Sequence, residues 1–235
     1  MSRTTLLLAA LLVVPACDDA KDPAKSAAKT DAATPDAAAK PAAAAKPEAD
    51  EAANEPAVDP WKKTLDERVL AQSGLGMEGR LTAFDIVNCE SGEKYCQVCR
   101  FGNSPKIMAV GTADDEQFQE DLKDIDAIVK KYGEDKIKAF AVVTDIVDGK
   151  GVTPKDVAAA QARANELREK LAISIPVVVP APDDAGQNRE WDEYYNITQS
   201  RTVMFADGRN AVKYSAVSPE DFSELDAAIN AVIES

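Results

Sequence analysis

Residues 106–144 read KIMAVGTADDEQFQEDLKDIDAIVKKYGEDKIKAFAVVT. Lys106 to Gly111, with Ile107, Met108 and Val110, has the composition of a strand. Asp114 to Lys131 is charged overall, but Phe118, Leu122, Ile125, Val129 and Tyr132 recur at steps of 4, 3, 4 and 3. That spacing lines one face of a helix. Ile137 to Thr144 is almost continuously apolar, the pattern of a strand buried on both faces. A strand, a helix and a second strand in this order close as a parallel pair joined by a right-handed crossover.

The pattern continues on both sides. Upstream, Leu81 to Asn88 reads as a strand through Phe84, Ile86 and Val87. Downstream, Thr153-Pro154 predicts a helix start, with Thr153 as N-cap and proline in the first turn. Val157, Ala160, Ala164, Leu167 and Leu171 supply that helix's stripe, and Ile173 to Val179 reads as another buried strand. A short helix is expected over 186–196, where Trp191, Tyr194 and Tyr195 read as packing aromatics. Thr202 to Ala206 and Asn210 to Tyr214 then predict a hairpin through Asp207-Gly208. Ser218-Pro219-Glu220-Asp221 predicts the cap of a last helix with Phe222, Leu225, Ile229 and Val232 inside. The order is β, βαβαβ, short α, ββα, an α/β class with a mixed central sheet.

The chain outside this unit is of a different kind. Leu6 to Val14 is an apolar run of nine residues behind Arg3, too short to span a bilayer. It ends in Val13-Val14-Pro15-Ala16-Cys17, which resembles a bacterial lipobox. The resemblance makes residues 1–16 a signal peptide and Cys17 the lipidated first residue of the mature protein. Residues 17–60 are Ala, Pro, Lys, Asp and Glu almost throughout and cannot bury enough apolar surface to offset their ordering entropy. They read as a disordered tether with a reach of roughly 35–40 Å. Residues 61–80 read as a short helix from Trp61 followed by a turn at Gly74, Gly76 and Gly79, and residues 81–235 as the folded domain.

The 235 residues carry a formal charge of −14 and no histidine. So acidic a chain repels nucleic acid and anionic headgroups, so no nucleic-acid partner is expected and any membrane contact runs through the lipid. The lack of histidine excludes Ser-His-Asp, Cys-His and His-metal mechanisms from this chain.

The remaining chemistry lies in Cys96-Gln97-Val98-Cys99, with Cys89 seven residues before it. Three readings stay open. Cys96 and Cys99 form a redox dithiol, with Lys94 and Arg100 favouring a thiolate and Cys89 as a resolving thiol. Or Cys89 bridges to Cys96 or Cys99 as a structural staple. Or the sulfurs hold a metal, for which a fourth ligand is wanting. No cofactor is called for by the first two.

The element order resembles the thioredoxin superfamily over residues 81–235, closest to the branch of peroxiredoxins and the alkyl hydroperoxide reductase/thiol-specific antioxidant family. The best-matching parts are Pro105 to Asp145 and the hairpin Tyr195 to Tyr214. The run Cys96-x-x-Cys99-Arg100-Phe101-Gly102-Asn103-x-Pro105 also resembles bacterial thioredoxin-like envelope proteins. The resemblance implies a three-layer fold and thiol–disulfide exchange with envelope protein thiols or disulfides, on the periplasmic side of the cell envelope. Family order makes Cys96 the attacking sulfur.

Two departures stand out. The reactive cysteine of the family follows the first strand of the strand-helix-strand unit, where this chain has Thr112-Ala113-Asp114-Asp115. This removes the peroxidatic cysteine of a peroxiredoxin. The facing cis-proline is replaced at about Arg201. The C-x-x-C itself is expected without a helix behind it. The rival to catalysis is a binding or structural lipoprotein.

Overall fold

The computed structural model describes residues 59–235. The expected signal peptide 1–16, the expected lipidation site Cys17 and the expected tether up to residue 58 lie outside the described residues. In chain order the elements are α1 (Pro60–Asp66), β1 (Ile86–Asn88), β2 (Lys94–Tyr95), α2 (Gln97–Phe101), β3 (Lys106–Gly111), α3 (Glu116–Tyr132) and β4 (Lys138–Val143). There follow β5 (Asp145–Val147), β6 (Lys150–Val152), α4 (Val157–Leu171), β7 (Val177–Pro180), a π-helical turn Glu190–Tyr194, β8 (Thr202–Ala206), β9 (Val212–Val217) and α5 (Ser223–Ile233).

Seven strands form one mixed sheet in the order β2-β1-β7-β4-β3-β8-β9. β3, β4 and β7 are parallel, while β1, β8 and β9 join antiparallel. The crossovers β3-α3-β4 and β4-α4-β7 step in the same direction across the sheet. Right-handed crossovers therefore place both helices on one face. α5 joins them there, around Phe118, Leu122, Ile125, Ala164, Leu167, Leu225 and Ile229. The opposite face is covered without long helices. Leu75, Leu81, Phe84, Val98, Trp191, Tyr194, Tyr195 and Ile197 pack on Met108, Val110, Phe140, Val142 and Met204. The third layer is thus α2, the aromatic turn and the coil before β1.

Each departure from the sequence reading has a local cause. The strand expected from Leu81 is paired only from Ile86. Residues 80–85 instead lie over the far face: Leu81 N–H donates to Asn210 O, Tyr194 O–H to Arg80 O, and Tyr195 O–H to Thr82 O. Thr153 does not cap α4. Its N–H and Oγ1 bind the Asp192 carboxylate at 2.7 and 2.8 Å, and Asp156 caps the helix. The short helix expected from Trp61 is Pro60–Asp66, and it ends before Val69 and Leu70.

The two-residue Asp-Gly turn occurs at Asp148-Gly149, between β5 and β6, with φ of 51° and 71°. The hairpin at Asp207-Gly208 is present with a longer loop, in which Asp207 accepts from Arg209 and Ala211 N–H and Asn210 takes the left-handed turn. Gly208 is needed there because a Cβ would lie 2.5 Å from Asn103 O. The same loop holds buried Lys106, whose ammonium donates to Asn210 Oδ1 at 2.5 Å and Gly102 O at 2.7 Å. Burial pushes its pKa below the ordinary value. This pair of bonds ties the exit of α2 to the hairpin.

α3 is fixed at its start by Asp115, whose carboxylate accepts from Gln117 and Phe118 N–H. The Phe118 ring then lies directly against Gly111, where a Cβ would come within 2.5 Å of it. Gly111→Ala is therefore expected to destabilise the fold by about 1–3 kcal/mol through overpacking. In a Phe118→Leu background the added cost should shrink to below about 1 kcal/mol, as a urea-denaturation double-mutant cycle would measure.

Candidate active site

The two cysteines are brought to the end of the sheet by register. Val110 pairs with Val142 and Val142 with Val178, so the three parallel strands are level. Ile86 pairs with Pro180, the last residue of β7, and Tyr95 pairs with Ile86. Tyr95 is therefore level with Thr112, just past the C-terminal end of β3. Cys96 leaves the sheet at this end, on the β2 edge, with β1, β7 and β4 between it and β3.

Cys96 is extended (φ −103°, ψ 113°) and stands as N-cap of α2. Its Sγ accepts from Cys99 N–H at 3.1 Å. A disulfide joins Cys96 and Cys99, with Cα atoms 5.3 Å apart. The expectation that no helix follows the first cysteine is corrected: Gln97–Phe101 is one turn of helix. It is anchored by Val98, buried in the far-face core, and by Phe101, edge-on to Phe140 at 5.8 Å. Gly102 ends it at φ 53°. A turn this short shows no repeating stripe, so periodicity could not reveal it. Tyr95 O–H donates to Gln97 Oε1 at 2.6 Å and secures the entry.

The two sulfurs differ in setting. Cys99 is exposed, whereas Cys96 is half-buried against the far-face core. Cys96 borders a cleft of about 310 Å³ that also meets Phe84, Asp85, Asp183 and Glu190. The cations expected to favour a thiolate are engaged: Lys94 with Asp85 at 3.3 Å, Arg100 with Glu93 at 3.2 Å. Arg100 also lies over the Tyr95 ring at 4.7 Å. Such exposed pairs are weak, so they screen the cations without fixing them.

Cys89, expected to resolve or to bridge, is bonded to neither Cys96 nor Cys99. It is a free thiol, 3% exposed, in the core beneath α3 and α4. The cause is alternation along the chain: Cys89 follows Val87 by two residues and faces the helix layer with it. Cys96 packs on the opposite side of the sheet. Burial pushes the Cys89 thiol from its ordinary 9.0 up to about 11, with the charge of Arg168 opposing. The same separation denies Cys96 and Cys99 a third sulfur. Among the described residues no group of three His, Cys, Asp or Glu side chains is placed to hold a metal.

The position that holds the reactive cysteine in the resembled family is closed here. Thr112 N–H donates to Ser200 Oγ, Gln119 donates to Ala113 O, and Asp115 is spent on the α3 cap. Facing it, Arg201 takes φ 57° and forms a two-point ion pair with buried Asp121 at 2.8 and 3.0 Å. Its guanidinium also donates to Gln117 and to Pro219 O. No cis peptide occurs among the described residues.

No protein-family model matches the chain, and no curated protein is similar to it in sequence. Solved structures are similar in fold. One is the thioredoxin domain of a thiol-disulfide oxidoreductase from Bacteroides vulgatus, with TM-score 0.50 and 11% identity over 68% of this chain and 99% of that one. Another, from Chlorobium tepidum, is provisionally described as a thiol:disulfide interchange protein DsbE; its TM-score is 0.50 at 16% identity, covering 68% and 99%. A third, from Bacteroides thetaiotaomicron, is provisionally described as a protein disulfide isomerase, with TM-score 0.51 and 10% identity, covering 70% and 96%. The chain has a thioredoxin-like fold and carries a C-x-x-C disulfide.

The buried thiol gives a measurable pH effect. Between pH 9 and about 11 the unfolded chain's Cys89 is ionised while the folded one keeps its proton. The folded state then binds more protons, so stability falls as pH rises through that window, at about 1.4 kcal/mol per pH unit at most. Wild type should lose stability to urea faster than Cys89→Ala between pH 9 and 11, and the two should run parallel below pH 8.

Proposed function

We propose that this is a lipid-anchored thioredoxin-like protein that exchanges disulfides with envelope proteins through Cys96 and Cys99. The observation that carries the reading is a C-x-x-C disulfide, with Cys99 exposed, at the C-terminal end of a thioredoxin-like sheet. A partner thiolate attacks one sulfur of the pair, the Cys96–Cys99 bond breaks, and a mixed disulfide forms. A second partner thiolate then attacks the partner's own sulfur in the mixed disulfide and the protein cysteine leaves as thiolate, so the partner ends oxidised and the pair reduced; the reverse sequence reduces a partner disulfide. The thiol–disulfide oxidoreductases among the fold neighbours support this chemistry. The chain's acidity, its lack of histidine and the absence of a cysteine at Thr112–Asp115 support neither nucleic-acid binding nor peroxidase activity.

One observation favours a second reading. The disulfide clasps the turn that leads into β3, and the family's usual position is filled by the Arg201–Asp121 pair. On this reading the protein is a binding or structural lipoprotein and the bond a staple. Closing so short a loop contributes only about 2 kcal/mol on the chain-entropy model, modest support for a purely structural role. A redox titration separates the two. Exchange predicts a potential in the range of known thiol–disulfide exchangers, about −120 to −270 mV, whereas a bond below about −300 mV is a staple.

Residues 1–16 act in this proposal as a signal peptide, with lipid on Cys17 holding the protein to a membrane and residues 17–60 as tether. No helix among the described residues is long and apolar enough to cross a membrane. Cys17→Ala should move the protein from the membrane fraction to the soluble fraction on cell fractionation; retention in the membrane would count against lipidation.

A further inference from the structure

Resting on the exchange reading above, we propose that exchange takes place at Cys99, so that the mixed disulfide forms there and Cys96 leaves as the thiolate. This is the reverse of the order that the motif's family resemblance implies. Three independent features of the site favour it.

The first is access. A nucleophile must reach the sulfur it attacks, and Cys99 is exposed on α2 while Cys96 is half-buried against the far-face core. The second is the leaving group. Cys96 Sγ already accepts the Cys99 N–H at 3.1 Å. That bond strengthens as negative charge develops on Cys96. Among the described residues Cys99 Sγ has no matching donor. The third is charge. The cleft beside Cys96 is bordered by Asp85, Asp183 and Glu190. Asp85 is paired with Lys94, but Asp183 and Glu190 have no ion-pair partner among the described residues. An incoming thiolate is an anion and is opposed there. At Cys99 the adjacent charge is Arg100, paired with Glu93 at 3.2 Å, so that side carries no unpaired acid of this kind.

The partner's thiolate sulfur bonds to Cys99 Sγ, the Cys96–Cys99 bond breaks, and its electron pair departs on Cys96 Sγ. A second partner thiolate then attacks the partner sulfur of the mixed disulfide and releases Cys99 as thiolate. The partner loses two electrons and two protons. The cysteine pair gains the two electrons, and the protons pass to its thiolates or to solvent. Run backwards, Cys99 attacks a partner disulfide and Cys96 resolves the adduct.

The test uses the oxidised full chain and a neutral peptide with one cysteine. The mixture is quenched in acid, alkylated and mapped by fragment mass spectrometry. The expected result is peptide on Cys99 and alkyl label on Cys96, in at least tenfold excess over the opposite arrangement. In a second measurement, reduced Cys96→Ser and Cys99→Ser react with 2,2′-dithiodipyridine, an uncharged disulfide. Cys96→Ser, which keeps Cys99, should react at least tenfold faster. Equal labelling, or peptide chiefly on Cys96, overturns the assignment and leaves the exchange reading intact. No adduct at either sulfur overturns both.

Discussion

All six residues of β3 are buried, and every other layer answers to that constraint. A strand with no solvent on either face needs apolar cover on both and a paired neighbour on each side. β4 and β8 supply the neighbours. α3 supplies one cover, close enough that Phe118 leaves no room for a side chain at Gly111. The other cover cannot be a crossover helix, because the two crossovers step the same way and fall on the first face. It is assembled from the coil before β1, the aromatic turn and α2. The C-x-x-C turn is therefore part of the core's second lid, held down by Val98 and Phe101. The sulfurs inherit their position from that packing role.

This accounts for how a thioredoxin-like fold can carry a disulfide where the family resemblance does not expect one. The register of β1, β2 and β7 returns the chain to the C-terminal end of the parallel strands, so Cys96 emerges level with Thr112 although it precedes β3 in sequence. The position beside Thr112 is meanwhile closed by the Asp115 cap and the Arg201–Asp121 pair. Breaking that pair would strand a buried carboxylate, which costs far more than an exposed ion pair gains. The resulting site has one exposed and one half-buried cysteine, a backbone donor aimed at the half-buried one's sulfur, and beside it Asp183 and Glu190, which have no ion-pair partner among the described residues. An ion pair at the usual position and a disulfide at the sheet's edge leave the fold's layers unchanged.

Periodicity located β3, α3, β4, α4, β8 and α5 because each pattern is long or strongly apolar. It failed on short elements. The five residues of α2 make little more than one turn, so no stripe repeats. β5 and β6 have three residues each, and their Asp148-Gly149 turn passed unnoticed beside the more conspicuous Asp207-Gly208. Thr153 has the chemistry of a cap, yet Asp192, nearly forty residues away, claims both its donors. Cys89 looked like a partner for the other cysteines because it is near them in sequence. Seven residues of chain are enough to put it through to the other face of the sheet.

The sequence by itself determined the α/β order, the apolar faces, the absence of histidine chemistry and the identity of the only closely spaced cysteine pair. These depend on residue type and local spacing. The tertiary structure alone decided that Cys89 is buried outside the disulfide, that Cys96 caps a helical turn, that Cys99 is the more exposed cysteine, and that Arg201 and Asp121 occupy the family's usual site. Each of these depends on strand register and on which face a side chain meets, and those are set by pairings between residues distant in the chain.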